Sequence, residues 1–138
     1  MSEDAVVLSG GCLCGRTRYQ ATAMPFASDY CHCRQCQVGV GSVITQWMDF
    51  KVEQVVWSGG PLKEFASSDK VRRGFCPDCG SSITYRHLDH GEYITMSVAS
   101  LDNPELVSPD YHIYTESQVS WLKVADEHPR YAKGRSDG

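Results

Sequence analysis

The sequence contains no long run of apolar residues. No segment approaches the roughly 20 apolar residues that a membrane-spanning helix needs. The opening stretch, MSEDAVVLSG, starts acidic and lacks the basic segment and apolar run of a signal peptide. We therefore expect no signal peptide, no membrane anchor and a reducing, cytoplasmic environment.

An excess of positive charge is also missing. The formal net charge of the 138 residues is −4 at pH 7, which argues against general nucleic-acid binding through phosphate contacts. Hydrophobic residues make up 41% of the chain and charged residues 22%, which is ordinary for a chain with one modest core. We expect one domain over residues 1–138, with its core at about residues 8–125 and a polar, extended or frayed tail from Asp126 to Gly138.

Long helical patterns are scarce, whereas short strand patterns recur along the chain. β-Branched and aromatic residues lie in short segments separated by glycine-rich turns. The predicted strands are Arg16–Thr22, Ser42–Phe50, Val52–Trp57, Leu62–Ala66, Val71–Phe75, Ser82–Tyr85, Tyr93–Val98 and His112–Tyr114. One short helix is predicted at Arg34–Val40, where Gly39 and Gly41 end the helical pattern. These patterns predict a mainly β, single-domain fold with short helical turns.

Cysteine, in contrast, is frequent and clustered. The seven cysteines form three tight groups, which are Cys12 with Cys14, Cys31 with Cys33 and Cys36, and Cys76 with Cys79. An odd count argues against complete disulfide pairing, and closely spaced cysteines in a reducing compartment more often bind metal. The sequence therefore predicts metal sites.

One partition joins the first and last groups into a closed site of four thiolates. Glycines beside both groups permit the tight turns that would aim the sulfurs inward. We call this the outer cluster, and it comprises Cys12, Cys14, Cys76 and Cys79. The compact CxCxxC run is left as an open site, called the middle cluster, of Cys31, Cys33 and Cys36. Structural zinc usually has four protein ligands and catalytic zinc three, so this partition predicts two Zn²⁺ per chain, one of each kind.

A competing partition combines Cys33 and Cys36 with Cys76 and Cys79 as an ordinary zinc ribbon with two CxxC pairs. That reading describes a non-catalytic, zinc-stabilised interaction module. A further possibility is that two cysteines of the middle cluster are joined and serve a redox role. Spacing alone leaves these alternatives open.

Four motifs in order carry a resemblance to a known family. They are GGCLCGRTRY at Gly10–Tyr19, CHCRQCQVGVGS at Cys31–Ser42, RRGFCPDCGSSITYR at Arg72–Arg86 and HIYTESQVSWL at His112–Leu122. With them the chain resembles the glutathione-dependent formaldehyde-activating enzyme family, also called the S-(hydroxymethyl)glutathione synthase or centromere protein V family. The resemblance implies an Mss4-like, β-tent zinc fold, with the outer cluster as ligands of a structural zinc and the middle cluster as ligands of a catalytic zinc.

The resemblance also implies a reaction, that of a zinc-dependent carbon–sulfur lyase. A thiol such as glutathione would occupy the open position of the middle cluster as a thiolate, because zinc binds sulfur well and lowers the pKa of a thiol. Attack of that sulfur on an aldehyde such as formaldehyde would give an S-hydroxyalkyl adduct. The expected partners are therefore small thiols and aldehydes, with neither nucleic acid nor membrane.

Four further side chains are candidates, two within the middle cluster, Arg34 and His32, and two just before the last cysteine group, Arg72 and Arg73. Arg34, Arg72 and Arg73 are suited to the carboxylates of a peptide thiol, although such residues are more often solvated at strand edges. His32 lies between Cys31 and Cys33. Since adjacent residues in an extended segment point apart, we expect His32 to face away from the metal.

Overall fold

The computed structural model describes residues 5–135. In that part of the chain the strands are β1 (Leu8–Gly11), β2 (Thr17–Ala21), β3 (Ala27–Cys31), β4 (Thr45–Lys51), β5 (Val55–Gly59), β6 (Lys63–Ala66), β7 (Val71–Phe75), β8 (Ser82–His87), β9 (Tyr93–Ser97) and β10 (His112–Ile113). The α-helix is α1 (Arg34–Val40), and 3₁₀ turns lie at Val52–Gln54, Val98–Ser100, Pro104–Leu106 and Thr115–Ser117. No helix within residues 5–135 is long and apolar enough to cross a membrane.

The strands form two sheets. The smaller sheet has the order β1-β2-β5, and the larger has the order β10-β3-β4-β9-β8-β7-β6. Neighbours are antiparallel except β10 and β3, which are parallel. The prediction of a mainly β fold in one small domain is confirmed.

The larger sheet buries different residues on its two faces, because successive side chains of a strand point to opposite sides. Met48 and Phe50 of β4 lie in the main core with Tyr19 of the smaller sheet, and all three are at most 1% exposed. Trp47, the residue before Met48, points to the opposite face and packs with Cys31 and Cys36 in a second, smaller cluster. The middle cluster therefore lies on the face of the larger sheet that is turned away from the main core.

Several predicted element boundaries need correction. The segment Arg16–Thr22 contains the second strand, because β1 precedes it, and β3 was also not predicted. β1 ends in Gly10 and Gly11 and β3 contains Asp29, and both residue types disfavour strands in isolation. Pairing with β2 and β4 overrides that preference.

Several predicted strands include residues that the structure places elsewhere. β4 begins at Thr45, because residues 42–44 form a bend after the helix. Val52–Gln54 is a 3₁₀ turn, so that β5 begins at Val55, and Val98 likewise starts a 3₁₀ turn. The predicted helix coincides with α1, and it ends at Gly41, whose φ of 81° is the left-handed conformation that glycine adopts readily.

The described part of the tail is irregular, and its backbone is hydrogen-bonded to the domain. The His112 N–H donates to the Pro129 carbonyl (2.8 Å), and the Tyr131 N–H donates to the His112 carbonyl (2.9 Å). The Thr115 N–H donates to the Tyr131 carbonyl at 3.1 Å. Residues 136–138 of the predicted tail, and residues 1–4 of the predicted domain, lie outside the described residues.

Candidate functional site

The outer cluster brings four sulfurs together from two distant turns. The turn after β1 holds Cys12 and Cys14, and the turn after β7 holds Cys76 and Cys79. All four Sγ atoms lie within 4.8 Å of one another. The first and last cysteine groups therefore form one cluster. Cys33 and Cys36 are not part of it, although the zinc-ribbon partition would require them to be.

Backbone turns aim these sulfurs inward. In the first turn the Gly15 N–H donates to the Cys12 carbonyl (3.1 Å), and in the second the Gly80 N–H donates to the Cys76 carbonyl (2.8 Å). The Thr17 N–H also donates to the Cys12 sulfur at 3.3 Å. A hydrogen bond from the Ser81 hydroxyl lowers the pKa of Cys79 to about 5, which favours the thiolate that a metal requires.

The spacing of the outer cluster fits zinc. A tetrahedron with zinc–sulfur bonds of about 2.3 Å has sulfur–sulfur edges of about 3.8 Å. The Cys12–Cys14 and Cys14–Cys76 sulfur distances are both 3.7 Å. The four cysteines therefore form a possible metal site with dimensions suited to a tetrahedral ion.

The middle cluster is built by the end of β3 and the start of α1. Cys31 is the last residue of β3, Cys33 caps the helix, and Cys36 lies in its first turn. The Cys31 and Cys36 sulfurs are 3.5 Å apart, and both residues are buried. Within residues 5–135, however, only the outer cluster is a group of three or more metal-ligating side chains whose ligand atoms all converge.

The surroundings of the middle cluster favour thiolates at two of its three positions. Hydrogen bonds from the Cys31 thiol and from the N–H groups of Gln35 and Cys36 lower the pKa of Cys33 to about 5. A hydrogen bond from Cys31, supported by the Arg73 guanidinium, lowers the pKa of Cys36 to about 7. The hydrogen bonds of Cys31 with Cys33 and Cys36, together with burial, raise the pKa of Cys31. The cluster thus has the electrostatic setting of a metal-binding or reactive thiol site.

A cavity of about 480 Å³ opens beside the middle cluster. All three cysteines of the cluster line it, and Trp47, Arg73 and Tyr85 form part of its wall. The register of strand pairing places the wall residues on one face of the larger sheet. Cys31 pairs with Thr45, and Tyr85 pairs with both Thr95 and Arg73. Six strands of the larger sheet, β3, β4 and β7 to β10, therefore contribute residues to a single cavity next to the cysteines.

Two carboxyl groups in this cavity were missed by the sequence reasoning. Asp29 lies two residues before Cys31 on the same face of β3, and Asp49 lies two residues after Trp47 on β4. Asp29 is 5% exposed, and its Oδ1 has no hydrogen-bond partner among the described residues. Burial, together with the nearby Asp49, raises the pKa of Asp29 to about 8. Recognising β3 as a strand would have revealed Asp29, because alternate residues of a strand share a face.

The three candidate arginines have different positions. Arg73 lines the cavity, where its Nη1 lies 3.4 Å from the Cys36 sulfur and its guanidinium lies over the Tyr85 ring at 5.2 Å. Arg34 donates to the Gln37 side chain at 2.8 Å. Arg72 donates to backbone carbonyls, including that of Ser68 at 3.0 Å. Arg73 is the candidate that the structure brings to the middle cluster.

His32 is buried, and its ring is directed at another histidine. His32 Nε2 lies 3.0 Å from His112 Nδ1, and His32 does not line the cavity. This position agrees with the expectation that His32 faces away from the sulfurs of its neighbours.

Comparison with known proteins identifies the family. The family model for the glutathione-dependent formaldehyde-activating enzyme matches residues 7–117, which is most of the chain. The chain belongs to this family. Its two-sheet β structure and cysteine cluster are consistent with the Mss4-like fold expected of the family.

The solved structures add a likeness in fold. A crystal structure of a Rhodobacter sphaeroides protein, a structural genomics target, aligns with a TM-score of 0.59 at 19% sequence identity. The alignment covers 74% of this chain and 97% of that chain. No curated protein matches the sequence.

Proposed function

We propose that this member of the formaldehyde-activating enzyme family is a zinc-dependent carbon–sulfur lyase. It condenses an aldehyde such as formaldehyde with a thiol such as glutathione, forming an S-hydroxyalkyl adduct, in the reducing cytoplasm where such thiols persist. The observation that carries the proposal is the cavity of about 480 Å³ that opens onto the middle cluster in a chain of this family.

The two cysteine clusters are assigned different roles. The outer cluster, with four ligands, is the structural zinc site, and the middle cluster, with three ligands, is the catalytic one. Zinc bound by the middle cluster would supply an open coordination position that favours the thiolate form of the substrate. The 3.5 Å separation of the Cys31 and Cys36 sulfurs is close to a tetrahedral edge of about 3.8 Å.

The remaining cavity residues bind and orient the substrate. Three cysteine thiolates and an incoming fourth make the site strongly anionic, and the Arg73 guanidinium beside Cys36 offsets that charge. Arg135 also lines the cavity, over the Tyr111 ring at 5.2 Å, and provides a second cation for the carboxylates of a peptide thiol. The unpartnered Asp29 Oδ1 offers a hydrogen-bonding position for a polar group of the substrate.

Apolar side chains pack against the middle cluster beside the cavity. Trp47 is 4% exposed and packs against the middle cluster, and Tyr85 and Ile113 pack around it. Because these side chains lower the local dielectric constant, the Coulombic attraction between Arg73 and the anionic sulfurs is stronger than at an open surface.

The deciding experiment measures zinc per chain on protein purified without chelator, together with glutathione binding by calorimetry. We expect two zinc ions and thiol binding for the wild type. Cys33→Ser is expected to retain one zinc and lose thiol binding. Val38→Ala is the matched control, because Val38 lies on the exposed side of the same helix and its change should alter neither property. One zinc in the wild type and no thiol binding would refute the proposal.

A second candidate is a non-catalytic, zinc-stabilised interaction module. One observation favours it, since the outer cluster is the only fully converged group of metal-ligating side chains within residues 5–135. The same experiment separates the two candidates, because the module retains one zinc in both the wild type and Cys33→Ser and binds no thiol in either.

A further inference from the structure

His32 is held at three points between two cysteines of the middle cluster. Its ring is 2% exposed and meets His112, which is fully buried, at 3.0 Å. Its N–H donates to the Ile113 carbonyl (3.1 Å), and its carbonyl accepts from Gln37 Nε2 (2.9 Å). The residue that separates Cys31 from Cys33 therefore has its side chain and both backbone polar groups engaged.

The ring contact continues to the tail as a chain of directed hydrogen bonds. His112 Nε2 lies 3.0 Å from Asp126 Oδ2, and a carboxylate can only accept, so Nε2 carries the proton. In a neutral imidazole the other nitrogen is then an acceptor. When His112 is neutral, its Nδ1 accepts the Nε2–H of His32, and the contacts with His32 and Asp126 together fix the orientation of both rings.

The tail holds Asp126 in place for this contact. Arg130 Nη1 donates to Asp126 Oδ1 at 2.9 Å, and the His128 N–H donates to the same oxygen at 2.9 Å. The backbone on either side of Arg130 is paired with His112, whose N–H donates to the Pro129 carbonyl and whose carbonyl accepts from the Tyr131 N–H. Asp126 thus links the tail to the cysteine loop through two buried rings.

We propose that Asp126, His112 and His32 form a positioning device that holds the loop of the middle cluster in its metal-binding conformation. The inference rests on the proposed function, because it concerns the metal of the middle cluster. Three ligands within six residues bind an ion well only if the loop that carries them is already ordered, since ordering each residue on binding costs conformational entropy. Hydrogen-bonded supports of metal ligands are typically worth about 10- to 100-fold in metal affinity.

The test compares Asp126→Ala with Asp126→Asn in the metal-loaded, full-length protein. A chelator added in increasing amounts removes the more weakly bound zinc ion. Co²⁺ alone is then titrated into the vacated site, and the thiolate-to-Co²⁺ absorption is recorded. We expect Asp126→Ala to bind Co²⁺ about 10- to 100-fold more weakly than the wild type. The zinc ion that the chelator leaves in place should be bound as tightly as in the wild type. Asp126→Asn should recover part of the affinity, because its amide oxygen still accepts from His112.

Asp89→Ala is the matched control, because Asp89 is an exposed acceptor of Lys70 Nζ at 3.0 Å, and it should bind Co²⁺ as the wild type does. Unchanged Co²⁺ affinity in Asp126→Ala would overturn the positioning role alone. If the binding of both metal ions were weakened equally, without recovery in Asp126→Asn, general destabilisation would explain the result and the positioning role would be overturned. A wild type that holds a single equivalent would overturn the proposed function as well, so the two failures are distinguishable.

Discussion

Replacing Arg73 by glutamine tests the electrostatics of the proposed thiol site. The substitution removes the cation that lies 3.4 Å from the Cys36 sulfur and leaves a shorter, neutral, polar side chain. Hydrogen bonds to charged groups contribute about 1.5–3 kcal/mol, and the lower part of that range applies because Arg73 is partly exposed. A loss of about 1.5–2 kcal/mol corresponds to a roughly tenfold to thirtyfold weaker affinity for an anionic thiol.

Isothermal calorimetry with glutathione measures this change. Arg72→Gln is the matched control, since Arg72 is the preceding residue of β7 and its guanidinium bonds backbone carbonyls. Its effect on glutathione affinity should stay within about twofold, as for substitutions away from a site. A loss of affinity below about twofold for Arg73→Gln, or equal losses for the two variants, would show that Arg73 does not stabilise the bound thiol.

Two further predictions concern stability. Cys76→Ser should leave the chain unfolded, as measured by circular dichroism. A structural zinc contributes about 10–16 kcal/mol to folding, whereas the net stability of a domain is only about 5–15 kcal/mol. Cys33→Ser should keep the native spectrum. Collapse of Cys33→Ser together with a harmless Cys12→Ser would instead support the ribbon partition. Tyr19→Phe should lower the free energy of unfolding in urea by about 1 kcal/mol, because it removes the 2.6 Å hydrogen bond to the Ser100 hydroxyl; an unchanged midpoint would show that this bond contributes nothing.

The helix and the cysteine turns were predictable because their signals are local. α1 begins just after Cys33 and ends at Gly41, and both limits follow from neighbouring residues. The glycines beside the outer cluster likewise mark turns that the structure contains, with φ of 80° at Gly15 and 78° at Gly80. Elements of this kind need little information from the rest of the chain.

β1 and β3 could not be predicted in the same way. Their glycines and Asp29 weaken the strand signal, and both strands exist because β2 and β4 provide partners along their length. The consequence reaches the site, because Asp29 and Cys31 share a face only when residues 27–31 are a strand. A missed strand therefore concealed a cavity residue.

The three cysteine groups, the β-rich class and the short helix follow from local sequence, since spacing, turn residues and β propensity act over a few residues. That Cys12 and Cys14 meet Cys76 and Cys79 follows from the fold, because spacing left two partitions open. The fold also decided that Asp49 and Arg73 face one cavity. These outcomes depend on strand order and register across the whole sheet, where residues far apart in the chain become neighbours through pairings that no local pattern specifies.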